Sequence, residues 1–144
     1  MNADDRRDHD LFVYGTLLFP EVVERVIGRR LESRPARLPG YARLRVLDEV
    51  YPGLAQSPCA ETPGQLLLGL RTEDLERLDR FEGARYQRTP VEAIDTDGTV
   101  WPTETYLTPP AHWVFLSDEP WDPEPYRDNP LERLGWAKFE ERNE

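Results

Sequence analysis

Short apolar runs broken by glycine and proline set the rhythm of the chain. Leu11–Tyr14 (LFVY) is a continuous apolar run, the pattern of a strand buried on both faces. It enters Gly15-Thr16-Leu17-Leu18-Phe19 and then Pro20, a residue favoured at the first helical position. Val22, Val23, Val26 and Ile27 recur at helical spacing, and Gly28 stops them. The first unit therefore reads as strand, glycine turn, helix.

Arg34–Leu47 reads as extended structure interrupted at Pro39-Gly40, with alternation from Tyr41 to Leu47. Tyr51-Pro52-Gly53-Leu54 reads as a turn, and Gly64–Leu70 (GQLLLGL) as another buried strand. Thr72–Gly83 (TEDLERLDRFEG) comes next as a short helix, with Thr72 as its cap, Glu73 and Asp74 in the first turn and Gly83 as its stop. Tyr86–Ile94 and Val100–Leu107 are two strand patterns, and Asp97-Gly98 between them signals a hairpin. Four prolines among acidic residues mark Ser117–Pro130 as a loop held to the surface by Trp121 and Tyr126, and a short helix is expected from Leu131. One β-turn-α unit followed mostly by strands predicts an α+β fold: a small mixed, largely antiparallel β-barrel with short helices. Residues 1–10 read as a disordered tail, and 11–144 as a single domain that includes the Pro-rich segment and the last helix.

Composition narrows the class. A chain of 144 residues suffices for one domain with a real core. Its 38% hydrophobic and 32% charged residues suit a soluble globular protein. No apolar run approaches the ~18 residues of a membrane helix. MNADDRRDHD has no apolar stretch of secretory type, and Cys59 is the single cysteine, so a reducing cytoplasm is the expected location. The net charge of −10 arises wholly within residues 51–144, which argues against a nucleic-acid surface. Arg25, Arg29, Arg30, Arg34 and Arg37 form a local basic exception. They read either as an attractor for an anionic substrate or as a solvated helix face and loop.

Two stretches can carry chemistry. At about 100° per residue, Glu82 projects between Leu75 and Leu78, so a carboxylate shares the face that buries leucine, with Phe81 on its flank. It also lies in the last helical turn, where the dipole disfavours negative charge by roughly 0.3–1 kcal/mol. Both influences raise a carboxyl pKa, as a general base near neutrality requires. The alternative is a fraying helix end whose carboxylate turns to water. The second stretch is Tyr14-Gly15-Thr16-Leu17. A glycine between a buried strand and a helix start frees backbone N–H groups to hold a carboxylate or an oxyanion, although such junctions also occur for purely structural reasons. Other residues offer less. Cys59 has no histidine near it, His9 and His112 have no partner at metal-ligand spacing, and Gly15 lacks the companions of a nucleotide fingerprint. Tyr51, Tyr86, Trp101 and Tyr106 read as core or sheet aromatics.

Taken together, LFVYGTL, LPGYARL, YPGL, GQLLLGL and LDRFEGARYQRTPVEA, in that order, resemble the γ-glutamylcyclotransferase-like family, closest to its avirulence-induced-gene-like branch. The resemblance runs from about Leu11 to Leu107 and more loosely through Trp121 and Tyr126. It implies a small mixed-barrel fold and a cofactor-independent cyclisation. In that reaction the α-amino nitrogen of a γ-glutamyl substrate attacks its own γ-carbonyl, yielding 5-oxoproline and a freed amine or amino acid. It further implies that Glu82 is the catalytic glutamate and that Tyr14, Gly15, Thr16 and Leu17 form the substrate loop, extended by Leu18 and Phe19. The implied partner is a small γ-glutamyl molecule, not a nucleic acid or a membrane. A non-catalytic module that captures a small carboxylate in the same turn is the alternative. A hydrolase releasing free glutamate is a third possibility.

Overall fold

The computed structural model describes residues 8–135, and the element order is β1 (His9–Val13), α1 (Pro20–Ile27), β2 (Ser33–Val46), β3 (Pro52–Leu70), α2 (Thr72–Glu82), β4 (Gln87–Asp95), β5 (Val100–Leu107), β6 (Leu116–Pro120) and α3 (Pro130–Arg133). One sheet runs β1-β3-β2-β4-β5, with β6 paired to β2, and every pairing in it is antiparallel. Its two ends curl together. The Thr105 hydroxyl on β5 donates to the Phe12 carbonyl on β1 at 2.8 Å, and the Tyr14 hydroxyl donates to the Tyr106 carbonyl. Thr108 N–H donates to the Leu54 carbonyl at 3.1 Å, and Leu54 N–H to the Thr108 hydroxyl at 3.1 Å, so the end of β5 also meets the start of β3. The result is the expected α+β fold around a largely antiparallel, barrel-like sheet.

The continuous apolar run of β1 now has its reason. Leu11 and Val13 pack into the cluster shared with both helices, while Phe12 and Tyr14 point into the barrel with Leu38, Leu54 and Leu66. Each such buried side chain is worth about 1.5–3 kcal/mol. Pro20 occupies N1 of α1, and Gly28 closes that helix through its N–H to the Glu24 carbonyl at 2.8 Å.

Four sequence expectations need correction. The chain reverses at residues 47–51, where Asp48 adopts φ 62°, so of the expected Tyr51–Leu54 turn only Tyr51 belongs to the reversal and Pro52-Gly53-Leu54 opens β3. Residues 55–63, assigned to no element in the sequence, belong to that same long strand. Its register with β2 shifts between Pro39 and Tyr41, so Pro58 falls in a stretch without a β2 partner, whereas Pro63 stays in the ladder opposite Arg37. Leu116–Pro120, which overlaps the start of the Ser117–Pro130 segment read as loop, is a strand on β2. Beyond it, Trp121 is 2% exposed and stacks on Tyr126 at 5.6 Å, so the aromatics do anchor the chain after β6. The expected tail overlaps β1, because His9 and Asp10 are strand residues, while residues 1–7 and the rest of the last predicted helix beyond Gly135 lie outside the described residues.

Candidate active site

β1 delivers Tyr14 to the barrel interior, where its buried hydroxyl is held on the Tyr106 carbonyl. Burial pushes the Tyr14 phenol well above its ordinary pKa, reinforced by Tyr86 and the Glu82 charge, so it stays a neutral donor. Gly15 comes next because nothing larger fits: a Cβ there would stand 2.8 Å from Pro52 Cγ. Thr16–Leu18 then make one 3₁₀ turn, with Leu18 N–H on the Gly15 carbonyl at 2.9 Å and Phe19 N–H on the Thr16 carbonyl at 3.3 Å. The N–H groups of Thr16 and Leu17, at the start of that turn, have no partner within it. Arg43 Nη1 fixes the turn from behind by donating to the Tyr14 carbonyl at 3.0 Å, and its guanidinium lies over Trp121 at 5.4 Å.

α2 delivers Glu82. Its cap is Arg71, not Thr72: the Asp74 carboxylate accepts Arg71 N–H at 2.9 Å and also takes Arg29, so Thr72 becomes the first helical residue. Leu75, Leu78 and Phe81 are buried, and Gly83, at φ 74°, ends the helix as expected. The positive φ matters here because it turns the chain away at once and leaves Glu82 at the helix edge, half-buried.

Tyr14, Gly15, Thr16, Leu17 and Glu82 line one pocket, completed by Phe12, Val13, Tyr51, Pro52, Phe81, Tyr86 and Tyr106. The pocket is narrow. It encloses about 420 Å³ out to its open mouth. Among the described residues, Glu82 is the sole carboxylate in this lining. Leu18 and Phe19 do not line it; Phe19 is buried in the helix-facing core and Leu18 packs against the same core. None of the five clustered arginines reaches it either. Arg29 binds Asp74, Arg30 binds Glu24, Arg37 binds Glu61 and Arg34 lies over Trp101. Cys59 is exposed, and the described residues contain no group of three or more metal-ligating side chains.

Sequence reasoning missed the tyrosines. Tyr51, Tyr86 and Tyr106, read as core or sheet aromatics, form pocket walls, whereas Trp101 donates its indole N–H to Asp95 elsewhere. Tyr86 donates to the Pro52 carbonyl at 2.6 Å, and Arg85 donates to the Tyr51 hydroxyl at 2.7 Å. Tyr106 donates to Asp79 Oδ1 at 2.7 Å. Asp79 also takes Arg88 Nε at 2.9 Å and Nη2 at 3.1 Å, and Arg88 reaches Glu104 at 2.6 Å. The signal lay in two short motifs: YPGL contains Tyr51, and FEGARYQR contains Tyr86 and Arg88.

The site is thus a compact pocket of a small α+β barrel, with one acid among four tyrosines beside a glycine turn. The chain belongs to the γ-glutamyl cyclotransferase, AIG2-like family, whose model matches residues 11–128. AIG2-like protein A of Arabidopsis thaliana is 34% identical over 118 residues, which is 81% of this chain and 68% of that protein. Some plant relatives run longer, and the chain spans as little as 56% of one. A solution structure from Arabidopsis thaliana is 30% identical, with TM-score 0.71 over 97% of this chain and 91% of that one. A γ-glutamyl cyclotransferase structure shares the fold at TM-score 0.66 and 18% identity, over 92% and 87% of the two chains. The protein is thus γ-glutamylcyclotransferase-like. No helix of the described residues is long and apolar enough to cross a membrane.

Proposed function

We propose that the protein cyclises a γ-glutamyl-amine or γ-glutamyl-amino acid to 5-oxoproline, with Glu82 as general base and the Tyr14–Leu17 turn as substrate holder. The observation that carries this reading is the sharing of one pocket by the Glu82 carboxylate and the Gly15 turn. An α-amino group is mostly protonated at neutral pH, so it needs a base before it can attack. Glu82 takes that proton, and the freed nitrogen attacks the γ-carbonyl carbon. Negative charge develops on the carbonyl oxygen, where N–H groups at the start of the turn stabilise it. The bond to the departing nitrogen then breaks as the proton held by Glu82 passes to that nitrogen. The carboxylate so re-formed takes the second proton from the ring nitrogen, which leaves the neutral lactam, and passes it on to the released amine as its ammonium. One molecule becomes two, and the atoms balance without water or a cofactor.

The shape of the pocket suits this chemistry. Nucleophile and electrophile belong to one substrate molecule, so a narrow slot that holds the glutamyl carbons folded supplies much of the rate. The test is release of 5-oxoproline from a panel of γ-glutamyl compounds by native protein and Glu82→Gln. Loss of turnover in the variant is the expected result. Equal turnover in both sinks the proposal, free glutamate as product indicates a hydrolase, and binding without product indicates a capture module.

A further inference from the structure

Behind the pocket wall lies a charged network that the proposed chemistry leaves unused. Tyr106 lines the pocket beside Glu82, yet its hydroxyl is spent on Asp79, one helical turn before Glu82 on α2. Side chains three apart on a helix are neighbours on its surface, about 5–6 Å apart at Cβ. A phenol has a single proton to donate. Asp79 and Glu82 are thus neighbouring acceptors on α2, both close to Tyr106 in the fold, and the single phenol proton goes to Asp79. Arg88 fixes the choice. Its guanidinium chelates Asp79 through two nitrogens and is braced from β5 by Glu104, so the acceptor oxygen cannot swing away from the phenol.

We propose that Asp79 is a positioning residue for the reaction: by taking the Tyr106 proton, it keeps that hydroxyl from donating to Glu82 and competing with the substrate amine for the base. The inference rests on the reading of Glu82 as general base. A phenol bonded to the Glu82 carboxylate would stabilise its charged form and so weaken it as a base for the ammonium proton. The burden falls on kcat, because substrate still enters a pocket of unchanged lining. The directions of shift agree with this layout. Burial, the bond to Asp79 and the charges of Asp79 and Glu82 together push the Tyr106 phenol far above its ordinary value, so it is a donor at every working pH.

The experiment compares Asp79→Asn, Asp79→Leu, and Asp79→Leu combined with Tyr106→Phe, measuring kcat, KM and melting temperature. Asparagine retains the Oδ1 acceptor for the phenol but sets an amide N–H₂ against Arg88 Nη2, damaging the ion pair. Expected are a lower melting temperature with kcat within about twofold for Asn, and a tenfold or greater loss of kcat at similar KM for Leu. Adding Tyr106→Phe, which removes the orphaned hydroxyl, restores most of that loss. Equal loss of kcat in the Asn and Leu variants, or no rescue by Tyr106→Phe, overturns the inference while native turnover keeps the cyclase reading intact. A crystal structure of Asp79→Leu decides the matter independently of any turnover. The Tyr106 hydroxyl within hydrogen-bond distance of Glu82 upholds the proposal, and a hydroxyl bonded elsewhere refutes it.

Discussion

Two concave regions lie at different places on this barrel, and the smaller one holds the better site. The groove beside the start of β1 is lined by Asp8, His9, Asp10, Tyr41, Glu92 and Glu104, with three prolines and Thr103, and measures about 920 Å³. The pocket that Glu82 shares with the Gly15 turn is far smaller. The large groove is rich in carboxylates, but Glu92 is exposed and Glu104 is committed to Arg88. Acids that water or a guanidinium already satisfies gain little chemistry from their surroundings. In the small pocket one half-buried acid stands among phenols and apolar rings beside a glycine turn. Reactive potential depends on what surrounds a carboxylate, not on how many line a cavity or how large it is.

The sharpest way to break that comparison is to remove one acid from each region. Glu82→Gln is expected to lower kcat for 5-oxoproline release by about 10²–10⁴-fold, the usual worth of a general base. Glu92→Gln, measured in the same assay, is expected to change kcat by less than about twofold; a matching loss there would erase the distinction. Next in size is Gly15→Ala. Its new Cβ meets Pro52 at 2.8 Å, and overpacking of this kind costs about 1–3 kcal/mol, read from denaturant unfolding. Displacement of the turn should raise KM as well. Tyr14→Phe is milder. It deletes the hydroxyl bond to the Tyr106 carbonyl that closes the barrel beside the pocket, with an expected loss of about 0.5–1.5 kcal/mol in the same unfolding measurement.

The smallest effect concerns pH. Burial works against ionisation of Asp79, but hydrogen bonds from Arg88 and Tyr106 outweigh it and hold the carboxyl below its ordinary value. A folded pKa below the unfolded one gives stability that is present above roughly pH 3.9 and lost as pH falls through the folded value. Arg88→Leu should therefore shrink the stability lost on acidification below about pH 4. An acid-unfolding curve with the native slope in that window would show that Asp79 contributes nothing there. Asp128 is likewise held below its ordinary value, by Arg133, but this pair is exposed, and removing Arg133 should leave the curve almost unmoved.

Much of the fold was legible because its signals are local. Pro20 and Gly28 bound α1, Gly83 ends α2, and Asp97-Gly98 turns β4 into β5, since each needs only its neighbours' backbone geometry. The LFVY run announced a strand buried on both faces. Where reading failed, a distant partner had decided. Arg71 displaced Thr72 as cap because Asp74 could serve it while also binding Arg29, 45 residues away. Leu116–Pro120 became a strand because β2 presented an open edge to it, which overrode a loop-like composition. Residues 55–63 became part of β3 because pairing with β2 runs along both sides of the register shift, and Pro58 falls within that shift.

The candidate site divides in the same way. Glu82 at the end of an apolar helix face, and Gly15 between a buried strand and a helix, are properties of the sequence, since helical periodicity and glycine sterics act over a few residues. Their meeting in one pocket is a property of the tertiary structure. It required β5 to curl back onto β1, through Thr105 to Phe12 and Tyr14 to Tyr106, bonds that span 93 and 92 residues. Of the tyrosine walls, Tyr106 arrives with that closure, Tyr51 and Tyr86 are joined by contacts 34 residues apart, and the Asp79–Arg88 pair spans nine residues from α2 to β4. No local pattern encodes the closure, because register between distant strands is chosen only when the whole barrel packs.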